Sequence, residues 1–129
     1  MKRTTIPGTW HEKRALSPAV VTEGAGKIVW LAGHTGETGD DGRSLAGNFD
    51  AQTRQVFRNI EKTLAAAGAK LSDLVTMTVY LIDARYTTRM TELRAEILGS
   101  DFPGSAAITV AGFADPTIMI EIQGFAVPE

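Results

Sequence analysis

Apolar positions recur along this chain with two different periods. From Asp73 to Leu81 they alternate: Val75, Met77, Val79 and Leu81 point one way, and Thr76, Thr78 and Tyr80 the other. That is the period of a strand with one face on a core. Between Asn48 and Ala67 the spacing changes. Val56, Ile60, Leu64 and Ala67 recur at helical intervals, while Arg54, Arg58, Glu61 and Lys62 fall on the opposite side. Asn48 or Asp50 suits the N-cap of this helix, and Gly68 its stop. Tyr86, Met90, Leu93 and Ile97 form the stripe of a second amphipathic helix, ended by Gly99.

The remaining apolar runs read as strands. Arg3 to Ile6 is a short edge strand stopped by Pro7-Gly8. Ala19 to Thr22 and Lys27 to Ala32 are two more, joined by Gly24-Ala25-Gly26 as a hairpin turn. Ile28 to Ala32 is apolar on both faces, which predicts a central, doubly covered strand. His34 to Leu45 is rich in Gly and Asp and predicts a loop. Phe102 to Val110 and Thr117 to Val127, separated by a Gly/Asp/Pro loop, predict an antiparallel pair. In the first, Ser105, Ala107 and Thr109 share a face. In the second, Met119, Glu121, Gln123 and Phe125 oppose Ile118, Ile120 and Ile122. Glu121 then belongs either to a solvated strand face or to a pocket floored by small side chains of its neighbour. Three strands, a helix, a strand, a helix and two strands make an α+β layer architecture, a mixed sheet with both helices on one face. Thr76, Thr78, Tyr80, Met119 and Phe125 leave the other face semi-polar, and such a face is expected to be buried against another subunit.

The 129 residues are expected to form a single domain, 1–129. A formal charge of −2 offers no electrostatic footprint for nucleic acid or an anionic membrane. The chain has no cysteine, so disulfides, thiolate nucleophiles and thiolate metal sites are excluded. No apolar run approaches the length of a membrane-spanning helix. The basic start, Met1-Lys2-Arg3-Thr4-Thr5, is not followed by an apolar signal core, so a cytoplasmic protein is expected. Gly24-Ala25-Gly26-Lys27 precedes a strand and fits neither phosphate-loop spacing. The two histidines, His11 and His34, lack metal-ligand spacing, and no metal or cofactor is implied.

The element order and several local motifs resemble the RidA/YjgF/YER057c/UK114 family. These motifs are Val29-Trp30-Leu31-Ala32-Gly33, Ala51-Gln52-Thr53-Arg54-Gln55, Ala65-Ala66-Ala67-Gly68-Ala69, Leu74 to Leu81, Phe102-Pro103 and Ile120-Glu121-Ile122. They span about residues 15–127. The resemblance implies a chorismate-mutase-like fold, a homotrimer built around a central barrel, and hydrolytic deamination of small reactive imines or enamines. It makes Glu121 the catalytic carboxylate that orients water. Gly33 becomes a backbone border of the pocket, with His34 beside it.

The family motif also marks a departure. Its Pro-x-Arg-Ser/Thr, whose arginine forks the substrate carboxylate, reads here Pro103-Gly104-Ser105-Ala106. The family's frequent cysteine is Ala107, and the tyrosine of its early Gly-Pro-Tyr is Ala19. A serine cannot fork a carboxylate, which predicts weak turnover of 2-iminopropionate-type substrates. The expected pocket is one interface cleft bounded by Gly33, His34, Ser105, Ala107, Thr109 and Glu121. Trp10 and His11 are candidates for its mouth, and Arg89 and Arg94 for a substitute anion clamp. A non-catalytic protein that binds a small-molecule metabolite on the same scaffold is the alternative.

Overall fold

The computed structural model describes residues 1–8, 12–24 and 26–129, with the backbone alone at residue 12. Trp10, His11 and Ala25 lie outside the described residues. Strand β1 (Lys2–Ile6) pairs antiparallel with β2 (Ala19–Glu23) as a two-stranded sheet of its own. Strands β3 (Val29–His34), β4 (Leu74–Leu81), β5 (Gly104–Thr109) and β6 (Ile120–Ala126) form a four-stranded mixed sheet in the order β3-β6-β4-β5. Helix α1 (Phe49–Ala66) precedes β4, and helix α2 (Thr87–Leu98) links β4 to β5. This is the α+β arrangement expected, with both helices packed on one face of the mixed sheet.

Local chemistry sets the helix ends. Asn48 Oδ1 accepts the Ala51 N–H at 3.0 Å, and Gly68 closes α1 with a left-handed φ of 76°. The stripes converge on the sheet. Val56, Ile60 and Leu64 of α1 and Met90 and Leu93 of α2 bury against Met77, Val79 and Leu81 of β4 and Ile120 and Ile122 of β6. Each such side chain contributes about 1.5–3 kcal/mol over an exposed one. Two ion pairs, Arg89–Asp50 and Arg54–Glu96, both at 2.7 Å, tie α1 to α2.

Three expectations about neighbours are corrected. The runs at 102–110 and 117–127 do not form a hairpin, because β4 lies between them. The β4–α2–β5 crossover makes β5 a parallel neighbour of β4, and β6 takes the opposite edge of β4, antiparallel. Among the described residues β2 pairs not with β3 but with β1, from Lys2↔Glu23 to Ile6↔Ala19, so the expected hairpin partners are not joined. Finally, β3 is an edge strand and is not doubly covered: Trp30 is 71% exposed and Ile28 46%. Alternation tells which side chains share a face, but not which strand lies alongside.

The face turned away from the helices carries Thr76, Thr78, Tyr80, Glu121 and Phe125, all half-buried, with Trp30 and Gln123 exposed. The Trp30 and Phe125 rings lie 5.0 Å apart between centroids. No element of the described chain covers this face.

Candidate functional site

The register distributes the expected pocket residues over both faces of the sheet. Ser105 pairs with Met77 and Ala107 with Val79, so both side chains stand on the helix-covered side. Thr109, opposite Leu81, continues that line to the exposed end of β5. Glu121 pairs with Tyr80, which pairs on its other side with Ile108, so Glu121 stands on the open face. The single cleft expected to join Glu121 to Ser105, Ala107 and Thr109 therefore does not exist within one protomer. With β5 and β6 on opposite sides of β4, their faces were never direct neighbours.

Glu121 and Gly33 do come together. A Cβ on Gly33 would overlap the Glu121 carboxylate, its Oε2 above all, so the side chain lies across bare backbone. The carboxylate is half-buried, and no hydrogen-bond donor among the described residues meets it. A bulge creates this contact. Between Leu31↔Gly124 and His34↔Ile122 the strand β3 carries an extra residue, which shifts the alternation by one. Gly33 is thereby turned to the open face and His34 to α1. The His34 Nδ1–H donates to the Ala32 carbonyl at 2.7 Å, and a carbonyl can only accept. Its Nε2 is hydrogen-bonded to the Thr63 hydroxyl at 2.8 Å. Both ring nitrogens are engaged, Nδ1 within β3 and Nε2 tying β3 to α1, so His34 is turned away from the open face that carries Glu121, whereas the sequence predicts it beside Glu121.

On the helix side a cleft of about 620 Å³ opens between α2, β5 and the segment before β2. Ser105, Ala107, Ser17, Thr91, Arg94 and Lys13 lie on its walls. Ser17 fixes one wall by donating its N–H to the Pro103 carbonyl at 2.9 Å and its hydroxyl to the Phe102 carbonyl at 2.5 Å. Ala15, with a left-handed φ of 55° unusual outside glycine, turns the chain next to Arg14. The Arg14 carbonyl then accepts from Arg94 Nη2 at 2.8 Å, and Arg94 Nη1 donates to Ser105 Oγ at 2.6 Å. Arg94 is only 2% exposed, and among the described residues its Nε has no acceptor. Burial pushes its pKa down to about 10, which leaves it protonated at neutral pH.

Arg89, the other candidate clamp, is occupied. It forks Asp50 through Nε and Nη2 and reaches Glu92 at 3.5 Å, and the Asp50 hydrogen bond raises its pKa. The burial of Arg94 had a signal in the sequence: it stands four residues after Met90, in phase with the core stripe. Gln52 was visible only as part of a family motif. Fully buried, it donates to the Leu45 and Thr117 carbonyls at 3.1 and 2.8 Å and accepts the Met119 N–H at 3.0 Å, so it fastens α1 to the approach to β6. Among the described residues no three His, Asp or Glu side chains converge as a metal set would.

A mixed sheet backed by two helices, a glutamate laid over glycine on its open face and a cleft under α2 define a small α+β protein of the chorismate-mutase-like type. The family model described as endoribonuclease L-PSP matches residues 12–128, and the chain belongs to that family, the RidA/YjgF proteins. A RutC family protein of Pyrococcus horikoshii is 35% identical over 105 residues, 81% of this chain and 82% of its own. The human 2-iminobutanoate/2-iminopropanoate deaminase is 27% identical over 101 residues, 78% of this chain and 73% of its own. Among solved structures, a Rid family protein of unknown function from Yersinia pestis superposes with a TM-score of 0.83 at 27% identity, covering 98% of this chain and 99% of its own. A YjgF/YER057c/UK114 family member from Mycobacterium tuberculosis gives 0.68 at 30%, covering 98% and 99%.

Proposed function

We propose that this protein hydrolyses a small imine or enamine metabolite, as a homotrimer whose pockets each join the Glu121–Gly33 half of one subunit to the Ser105–Ala107 half of the next. The observation that carries the reading is the Glu121 carboxylate, half-buried over Gly33 with no donor among the described residues satisfying it. Such a group is available to hold a water molecule and take its proton. In the proposed reaction the water oxygen bonds to the imine carbon and the nitrogen gains a proton. The carbinolamine then collapses to a carbonyl and ammonia, and the second proton returns through Glu121. The Ser105 and Thr109 hydroxyls and backbone amides hold the substrate.

The deaminase names of relatives such as the human protein support this reaction class. The family model's description as an endoribonuclease points elsewhere, but a formal charge of −2 lends RNA binding no support. The exposed Trp30, Ile28 and Ile108 on the open side favour self-association. No helix among the described residues is long and apolar enough to cross a membrane, and we place the activity in the cytoplasm.

The test is ammonia release from a panel of imines generated in situ by an amino-acid oxidase, with wild type and Glu121→Ala. We expect turnover that falls about 100-fold or more in the variant, the usual range for a general base. No turnover of any imine, together with tight binding of a metabolite, would leave the binding-protein reading in its place.

A further inference from the structure

We propose that Arg94 is the carboxylate-recognition group of this protein's cleft, so that its substrates are small imines carrying a carboxylate. The proposal rests on reading the cleft as part of an imine-deaminase site, and it names the substrate class that reading leaves open.

Arg94 carries an unbalanced charge. Arg43, Arg54, Arg85 and Arg89 each pair with a carboxylate at the surface. Arg94 is far more buried than any of them, yet among the described residues only neutral oxygens meet it, those of Ser105 and the Arg14 carbonyl. A buried guanidinium without an anion is costly, and so is a buried N–H without an acceptor. Arg94 carries both burdens at the wall of a cleft large enough for a metabolite. An anion entering the cleft would offset the charge, and the planar fork of guanidinium donors suits a carboxylate.

The placement of Arg94 fits this role. Its hydrogen bond to Ser105 Oγ brings the guanidinium from α2 to the strand position where the family motif carries its own arginine. The short side chains of Ser105 and Ala107 leave that space free. A cation supplied from the facing helix thus reaches a neighbouring volume by a different route. Of the charged groups around the cleft, Lys13 adds positive charge, Arg14 is itself engaged, and Glu92 stands on the rim paired with Arg89. One desolvated guanidinium with an acid at the rim suits a monoanion better than a phosphate dianion. On this proposal the turnover of 2-iminopropionate depends on Arg94, and not on Ser105 alone.

Calorimetric titration with pyruvate, the stable carbonyl counterpart of a 2-imino acid, separates binding from chemistry. Acetone and inorganic phosphate serve as comparison ligands. Wild type is expected to bind pyruvate in preference to both. Arg94→Met is expected to weaken pyruvate about 10- to 100-fold, the worth of a charge-assisted contact, with Arg94→Lys in between. Arg94→Met combined with Ser105→Arg returns the guanidinium from the strand side and is expected to recover most of the affinity. If Arg94→Met loses its cooperative unfolding transition, Arg94→Lys carries the comparison. The proposal is overturned if pyruvate affinity in the tested variant stays within about twofold of wild type, if wild type does not bind pyruvate at millimolar concentration, or if phosphate binds more tightly. Glu121→Ala separates the two readings, since it should lower turnover about 100-fold or more while pyruvate binding still depends on Arg94. Arg94-dependent pyruvate binding in a protein that turns over no imine would sustain the clamp and reject the hydrolase.

Discussion

At the scale of single residues, the open face turns on the contact of Gly33 with Glu121. The atoms that a Cβ at residue 33 would strike all belong to the outer part of the Glu121 side chain. That end is flexible, so Gly33→Ala is expected to move the carboxylate without disturbing the fold. The cost in stability should be about 0.5–1.5 kcal/mol, that of an unfavourable rotamer. The cost in activity should be larger, about tenfold or more, because a catalytic group displaced by an ångström loses its alignment. Thermal unfolding and ammonia release measured on one sample check both halves. Full activity in Gly33→Ala would detach the placement of Glu121 from the reaction.

At the scale of elements, α1 is held to the sheet by polar contacts as much as by its apolar stripe. Gln52→Ala leaves the Thr117 carbonyl and the Met119 N–H without this partner in a fully buried site, while the Leu45 carbonyl keeps the Asn48 N–H. An expected loss of about 2–5 kcal/mol follows from the price of such orphaned groups, read as a shift in the urea midpoint. The Arg89–Asp50 pair between the helices is a weaker fastening. The Arg89 hydrogen bond holds the Asp50 pKa below the usual carboxylate value. Its stabilisation is therefore complete above the unfolded value of about 3.9 and is lost as pH falls through the lower folded value. With both side chains nearly half exposed, 45% and 44%, Asp50→Asn is expected to cost only a few tenths of a kcal/mol near neutrality. It should also flatten the acid limb of the stability profile. Urea midpoints for both proteins at neutral pH and near pH 3 test this.

At the scale of the whole molecule, the two proposed half-sites occupy opposite faces of one sheet. A pocket containing both needs two copies of the chain, so activity and assembly should fail together. Trp30→Glu puts a charge on the most exposed apolar side chain of β3, and we expect it to yield monomers in sedimentation with no turnover. Mixing is the more pointed experiment. Glu121→Ala and Arg94→Met subunits, unfolded together and refolded, should regain up to about a quarter of wild-type activity, because pockets that draw one intact half from each parent reappear. Separate refolding should regain no more than the residual activity of each parent. Absence of complementation in a confirmed mixed oligomer would mean that the two halves do not serve one pocket.

Much of this protein is decided locally, and that part is legible in the sequence. The alternation of Val75 to Leu81, the stripe from Val56 to Leu64, the cap at Asn48 and the stop at Gly68 depend on neighbours a few residues away. Family motifs such as Ala51 to Gln55 and Ile120-Glu121-Ile122 point to Glu121 without any coordinates. The partners of each strand are decided elsewhere. The α2 crossover seats β5 beside β4 and sends β6 to the other edge, so residues that share a pattern end on opposite faces. A one-residue bulge in β3 reverses its phase, giving Gly33 to Glu121 and His34 to α1. The phase of Arg94 with Met90 marks it in sequence as a charge on the core side of α2, but not what it meets there. It becomes the buried cation of the cleft only because α2 packs over Ser105 and Ala15 turns the Arg14 carbonyl toward it. Side-chain periodicity follows from backbone geometry within an element, whereas burial and charge pairing depend on which elements meet across the fold.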